Sequence, residues 1–209
     1  GKSESLLKEP IYEIIKQCKG RIIFTSFASN IGRLKIIAEA GERSGRSIAV
    51  FGRAMNNMLS KAKETGILTN FPKVIDSRKA HLLPRENLLV IATGSQGEIR
   101  AASAQLSRGK YMGLEIEDGD TFVFSSKTIP GNEVAVNRII NNLSDKGVLV
   151  KYSDERDFHV SGHTNVPEML DFYKKVNPLL VFPMHGEIRH LLGHKKILTE
   201  KKIKAEVVK

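Results

Sequence analysis

The chain has 209 residues, of which 41% are hydrophobic and 27% charged, so it is long enough to bury a sizeable core in one domain or in one domain plus part of another. No apolar run approaches the ~18 residues that a membrane helix needs, and no export signal is recognisable, so neither a membrane protein nor an exported one is expected. The net charge of +10 favours polyanionic partners such as nucleic acid, although a lysine-rich C-terminal tail carries much of the excess.

The only cysteine is Cys18, which rules out an intramolecular disulfide. Together with the composition, this predicts a cytoplasmic protein. The chain begins with Gly1 instead of methionine, so we expect it to be part of a longer protein.

Helix-like and strand-like segments alternate along the chain. The predicted helices are 10–19, 30–44, 53–64, 98–107, 132–145, 166–176 and 187–199, and the predicted strands are 21–27, 47–51, 88–93, 121–125, 148–152 and 178–183. Apolar strands that do not alternate with polar residues, separated by helices, predict an α/β fold with a doubly wound, mainly parallel sheet and helices on both faces. A polar stretch at 152–156 predicts a boundary between domains 1–152 and 153–209.

Small and polar residues follow the predicted strands, in loops 27–30, 51–53, 93–98 and 125–133. Ligands of parallel sheets bind beyond the carboxyl ends of the strands, and the helix N-termini after these loops offer unpaired N–H groups. The loops together therefore favour a pocket for phosphate. Taken singly, Ser29, Asn30, Ser95 and Asn132 are better explained as helix caps and turn residues. The first loop lacks G-x-G-x-x-G, so a nucleotide cofactor is not expected.

Three of the six histidines lie in two short motifs, His159 and His163 in 159–163 and His185 in 183–187. His163 and His185 have small neighbours at predicted strand ends, which makes them candidate site residues. Two histidines do not complete a zinc site, which takes three or four ligands. His190 and His194 lie four residues apart on one predicted helix, but no glutamate stands between them as in a zincin, so this pair is a weak metal candidate. The residues alone leave the reaction open.

Several motifs occur in the order and spacing found in bacterial ribonuclease J, and the chain resembles that family from residue 2 to about residue 194. The motifs are FASN at 27–30, TGSQGE at 93–98, PGNE at 130–133, HVSGH at 159–163 and HGE at 185–187. The resemblance implies a Rossmann-like β-CASP domain at 1–152 and, at 153–209, an incomplete returning segment of a metallo-β-lactamase domain.

The family hydrolyses RNA phosphodiester bonds with two zinc ions, held between its metallo-β-lactamase and β-CASP domains. By resemblance, Glu4 and His163 are catalytic, with the carboxylate of Glu4 orienting the histidine beside the scissile phosphate. His185 is implied as a zinc ligand. The implied RNA phosphate-binding residues are Ser29, Asn30, Ser161, Gly162 and His163.

The family's upstream H-x-H-x-D-H motif is not in this sequence. We therefore expect the isolated chain to bind no zinc tightly and to be inactive. The expected partners are RNA, the missing metallo-β-lactamase half of the parent protein and a second copy of the chain, with no membrane. Two alternatives remain open: a non-catalytic RNA- or protein-binding module of the same fold, and a protein that binds small phosphate compounds.

Overall fold

A computed structural model describes residues 3–152 and 158–208. They form two compact units, a sheet unit that ends at Val160 and a C-terminal unit that begins at Ser161. Each unit has a hydrophobic core of its own. The predicted boundary between residues 152 and 153 falls at the edge of the stretch 153–157, which lies outside the described residues.

Six parallel strands form the sheet of the first unit, in the order β3-β2-β4-β1-β5-β6. The four inner strands are buried at nearly every position, as expected when helices cover both faces. This confirms the predicted doubly wound parallel fold. The strands are β1 (Ile22–Thr25), β2 (Ser47–Phe51), β3 (Val74–Ile75), β4 (Leu88–Ala92), β5 (Thr121–Phe124) and β6 (Leu149–Lys151).

Helices pack on each face because side chains of a strand alternate between the two faces. Ile15, Leu34 and Met55 of the first three helices share one core with alternate strand residues, and Leu106 and Ile139 of the next two helices belong to the opposite core. The helices of this unit are α1 (Lys8–Gln17), α2 (Ile31–Arg43), α3 (Arg53–Glu64), α4 (Ala102–Arg108) and α5 (Glu133–Asp145).

The register of the inner strands brings several loops to one edge. Thr25 at the end of β1 pairs with Ala92 of β4 on one side and with Phe124 of β5 on the other. The three strands therefore end at the same level, and the loops that follow them meet at the carboxyl edge of the sheet. This is the edge where the sequence predicts a phosphate pocket.

Buried charges brace the opposite, amino edge. Arg46 donates to the carbonyl oxygens of Gly20 at 2.7 Å and Leu88 at 3.2 Å. The fully buried carboxylate of Asp120 accepts the Arg21 backbone N–H at 2.7 Å and Nη2 of Arg85 at 2.9 Å. These bonds satisfy polar groups that would otherwise be buried without a partner, so their role is structural.

One glycine is required where β2 turns into α3. Gly52 has φ of 117°, and a β-carbon at this position would clash with the side chain of Thr93. Only glycine fits, because it lacks that carbon and adopts positive φ without strain. The turn sets the start of α3 and holds two carboxyl-edge loops close together.

The C-terminal unit contains two helices, α6 (Val166–Val176) and α7 (Ile188–Glu200), around a small core of Val181, Leu198 and Ala205. A capping box starts α6 at Asn165, whose side chain accepts from the backbone N–H of Glu168 at 3.0 Å while the Glu168 carboxylate accepts from Asn165 N–H at 3.1 Å.

Two predictions of local structure are wrong, and one strand was not predicted. The predicted strand 178–183 is reduced to a single bridge between Val181 and Ala205. The predicted helix 98–107 begins only at Ala102, because turns occupy the preceding residues. The two-residue strand β3 lies in a stretch where no element is predicted.

No helix within residues 3–152 or 158–208 has both the length and the apolar composition needed to cross a membrane.

Candidate functional site at the carboxyl edge of the sheet

Glu4 is held by a buried arginine at the carboxyl edge. Arg33 of α2 is completely buried, and it donates from Nε to Oε2 of Glu4 at 2.6 Å and from Nη2 to Oε1 at 2.9 Å. Two parallel bonds of this kind fix the plane of a carboxylate as well as its position. Glu4 therefore has one defined orientation, although its side chain is 35% exposed.

The remaining nitrogen of Arg33 ties two further segments to this pair. Nη1 donates to the carbonyl oxygen of Ser125 at 2.8 Å, to its Oγ at 2.9 Å and to the carbonyl oxygen of Phe158 at 3.0 Å. The Ser125 hydroxyl itself donates to Phe158 O at 2.6 Å. One guanidinium thus joins the N-terminal segment, the end of β5 and the chain just before His159.

Asn30 connects the start of α2 to the same carboxylate. Its Oδ1 accepts the backbone N–H of Arg33 at 3.0 Å, which caps the helix, and its Nδ2 donates to Oε1 of Glu4 at 3.0 Å. Both ends of the amide are therefore used within the protein. Ser29, the neighbouring residue of the predicted phosphate site, is exposed to solvent.

The surroundings keep Glu4 ionised. Its partial burial acts to raise the pKa of the carboxyl, but the hydrogen bonds from Arg33 and Asn30 and the positive charge of Arg33 prevail, so the pKa of Glu4 lies below its usual value. At neutral pH Glu4 is an acceptor of hydrogen bonds and not a proton donor.

The charges of this cluster also affect the pKa of His159. Burial, followed by the charges of Arg33 and Lys127, lowers the pKa of His159, while the carboxylate of Glu4 opposes the shift. Its Nδ1 is buried and has no hydrogen-bond partner among the described residues. The imidazole is therefore neutral at pH 7.

Other loops of the predicted phosphate pocket brace one another. The buried side chain of Gln96 donates from Nε2 to Lys127 O at 3.0 Å, and its Oε1 accepts from Ile129 N–H at 2.8 Å and from Nδ2 of Asn132 at 3.2 Å. Asn132 precedes α5 without capping it through its side chain. These amides hold the loop after β5 in place.

The last three residues of the first histidine motif, Ser161, Gly162 and His163, lie in the C-terminal unit and are all exposed. The backbone N–H of His163 donates to Oγ of Ser161 at 3.1 Å, which folds the motif into a tight turn.

His185 lies in the loop before α7 and adopts φ of 61°, a conformation that residues other than glycine rarely adopt. It is exposed, and the neighbouring carboxylate of Glu187 pairs with Arg189 at 3.0 Å. Among the described residues, no group of three or more His, Cys, Asp or Glu side chains could hold a metal ion. The donors of the described residues therefore do not by themselves complete a zinc site, which takes three or four ligands.

His194 has a structural role. Its Nε2 lies 3.2 Å from the hydroxyl of Tyr173, so the pair links α7 to α6. This contact gives His194 a partner within the protein.

The sequence predicted Glu4 and Asn30, and the structure joins them directly. Ser161, Gly162 and His163 lie together in the other unit, where His185 also lies. No sequence pattern assigns a role to Arg33 or to His159. One sequence feature could have identified Arg33. It lies in the first turn of the helix that follows the FASN motif, and an acidic residue, Glu4, was already a candidate for the same site.

Two family models match the chain. The ribonuclease J β-CASP domain matches residues 19–143, and the Zn-dependent metallo-hydrolase RNA specificity domain matches residues 150–208. The two matches together cover most of the sheet unit and nearly all of the C-terminal unit.

Similar proteins from several bacteria are named ribonuclease J. The chain is 38% identical to ribonuclease J of Sinorhizobium meliloti over 93% of its own length and 35% of that protein. It is 40% identical to ribonuclease J 1 of Streptococcus pyogenes over 90% of its length and 34% of that protein, and 34% identical to ribonuclease J of Mycoplasma genitalium over 99% and 37%. The chain thus spans about a third of the length of these relatives. It belongs to the ribonuclease J family, whose β-CASP domain it contains, followed by the RNA specificity domain of zinc-dependent metallo-hydrolases.

Proposed function

We propose that this chain supplies RNA binding and part of the active site of a metal-dependent ribonuclease that hydrolyses phosphodiester bonds in the cytoplasm. Family membership carries the proposal, because both domain models match and the relatives are named ribonuclease J. The net charge of +10 adds support, since a polyanion is the expected partner of such a protein.

Glu4 acts as a positioning acceptor in this proposal. Its three hydrogen bonds from Arg33 and Asn30 occupy three of the roughly four acceptor positions of a carboxylate, and Oε2 retains one. An ionised carboxylate with a free acceptor position can fix the tautomer and ring direction of an imidazole. We assign His163 as the histidine oriented in this way at the scissile phosphate.

The RNA phosphates are assigned to small groups at the loop ends: the hydroxyls of Ser29 and Ser161, the backbone at Gly162, and the side chains of Asn30 and His163. Ser29, Ser161 and His163 are exposed and thus accessible to RNA. Asn30 contributes mainly through Glu4, because both ends of its amide are already bonded.

We assign His185 as one ligand of a centre of two zinc ions in the full-length protein, with the other ligands contributed from outside this chain. The absence of a three-ligand group among the described residues supports such a division. The same observation favours the alternative that the chain by itself is a non-catalytic RNA-binding module.

Cleavage of a 5′-monophosphorylated single-stranded RNA by the full-length protein tests the proposal. His163→Ala is expected to lower turnover by at least about 100-fold, the lower range for a lost acid–base or orienting group, with zinc content unchanged. His185→Ala is expected to lower the zinc content. Loss of zinc in His163→Ala would contradict the role that we assign to this residue.

The length and salt dependence of binding separates RNA from small phosphate compounds. Affinity that rises with oligonucleotide length and falls steeply with salt is expected for RNA. Equal affinity for a mononucleotide and a ten-nucleotide RNA would instead support a small-molecule phosphate-binding protein.

A further inference from the structure

A cavity of about 430 Å³ opens beyond the end of β5, between the loop that follows this strand and α5. Its apolar lining comes from Phe124, Val136 and Ile140. Small-molecule pockets in proteins have volumes of roughly 300–1,000 Å³, so this cavity is large enough for one nucleotide.

Ser126 contributes an unsatisfied polar atom to this cavity. The residue is only 2% exposed, and its Oγ has no hydrogen-bond partner within the described parts of the chain. A buried hydroxyl without a partner costs free energy, and the fold gains nothing from it. A ligand in the cavity would provide the missing partner.

The rest of the lining has the groups that recognise a nucleotide. Asn137 and Asn141 lie one turn apart on α5 and so line the cavity from the same face of the helix. Lys127 adds a positive charge, and Tyr152, which is 47% exposed, adds an aromatic ring. Amides pair with the edges of bases, aromatic rings stack on their faces, and ammonium groups attract phosphate.

The cavity adjoins the Glu4 and Arg33 cluster across the sheet. Ser125 and Ser126 are consecutive, and the hydroxyl of Ser125 bonds to Arg33 and Phe158 whereas Ser126 lines the cavity. Lys127 lies close enough to His159 to affect its charge. The cluster and the cavity therefore lie next to each other at the end of β5.

We propose that this cavity binds one nucleotide of a single-stranded RNA substrate. The base lies against the apolar wall and the ring of Tyr152, its edge bonds to the Ser126 hydroxyl and the Asn141 amide, and its phosphate lies near Lys127. This subsite rests on the proposed function, since it presupposes that the protein binds RNA.

Binding of a 3′-labelled, ten-nucleotide RNA to the full-length protein, measured by fluorescence anisotropy in EDTA so that the RNA is not cut, tests the subsite. Ser126→Ala and Asn141→Ala are expected to weaken binding by about threefold to tenfold each, as for one lost hydrogen bond. Tyr152→Ala is expected to weaken it by about fivefold to 100-fold, as for a lost stacking platform. The matched control is Asn142→Ala, because this neighbouring amide faces Ser107 at 3.4 Å instead of the cavity, and its affinity stays at the wild-type value.

Thermal unfolding of Ser126→Ala separates a ligand-binding hydroxyl from a structural one. Its melting temperature stays the same or rises, because the variant removes a buried polar atom that has no partner. Wild-type affinity in both Ser126→Ala and Asn141→Ala, or a fall of several degrees in the melting temperature of Ser126→Ala, overturns the subsite. Equally tight binding of 5′-UMP and the RNA overturns its assignment to an RNA chain. Absence of any RNA binding by the wild-type protein overturns the proposed function itself.

Discussion

Arg33 is fully buried and grips the carboxylate of Glu4 with two hydrogen bonds, of 2.6 Å and 2.9 Å. The pair joins residues 29 positions apart, so the N-terminal segment is positioned by the first turn of α2. Arg33, which belongs to none of the recognised motifs, therefore fixes the orientation of Glu4, a predicted catalytic residue.

Replacing Arg33 with methionine is expected to lower the free energy of unfolding by about 3 kcal/mol, the lower end of the range for breaking a buried ion pair, because Glu4 is partly exposed. The variant keeps the apolar volume but removes the hydrogen bonds that Arg33 donates to Glu4, Ser125 and Phe158. Urea denaturation measures the change.

Arg43→Met on the same helix is the control. Its ion pair with Glu9, at 2.7 Å, is exposed to solvent, so the expected loss is much smaller than that of Arg33→Met. Equal losses in the two variants would contradict a special role for Arg33.

Acidification is expected to destabilise the protein in two steps. The pKa of His159 is lowered from 6.5 in the folded state, so the neutral ring stabilises the fold above pH 6.5 and this contribution is lost as pH falls below that value. The pKa of Glu4 is lowered from 4.5, so its contribution persists to lower pH and is lost as pH falls through the folded-state pKa.

Urea denaturation at pH 7.5, 5.5 and 4.0 follows both steps. His159→Gln is expected to flatten the first step, and Glu4→Gln the second. Stability that rises between pH 7.5 and 5.5 in the wild-type protein, with no change in His159→Gln, would contradict the lowered pKa of His159.

Ser29→Ala and Asn30→Ala are expected to differ in their effects. Ser29 is exposed, so its replacement leaves stability within about 0.5 kcal/mol while weakening RNA binding if the hydroxyl contacts phosphate. Asn30→Ala removes a helix cap and costs about 1 kcal/mol in addition. Thermal unfolding and RNA binding, measured side by side, distinguish the two, and unchanged RNA binding in both variants would remove these residues from the phosphate site.

Gln96→Leu is expected to loosen the loop after β5. The change removes three hydrogen bonds to residues 127, 129 and 132, at a cost of about 1–3 kcal/mol. Faster hydrogen exchange of the Ile129 amide reports the local effect. Gln105→Leu loses only one exposed bond, to Arg100 O at 2.9 Å, and should leave that amide unchanged.

The arrangement of strands and helices could be read from the sequence because each element carries a strong local pattern. The predicted bounds of α3 and α6 match the structure, since the sharp turn at Gly52 starts one and a capping box starts the other. The strand predicted at 178–183 failed because an apolar run does not supply a neighbouring strand, and only Val181 finds a partner. β3 is too short to show any periodicity.

The site was only partly predictable, for a physical reason. A charged residue on an amphipathic helix is normally assigned to the solvent face, which is why Arg33 received no role. Arg33 can be buried because Glu4, Ser125 and Phe158 accept its hydrogen bonds. These three residues are distant from Arg33 in sequence, so a local pattern does not show them. Motif resemblance marked Glu4 and His163, but the roles of these residues stay predictions until the variants are measured.

The two outermost strands of the sheet are also its shortest, with two residues in β3 and three in β6. Each therefore exposes few unpaired N–H and C=O groups to a strand from another molecule. Edge-to-edge growth into larger sheets is disfavoured, and the apolar inner strands stay shielded from the strands of other molecules.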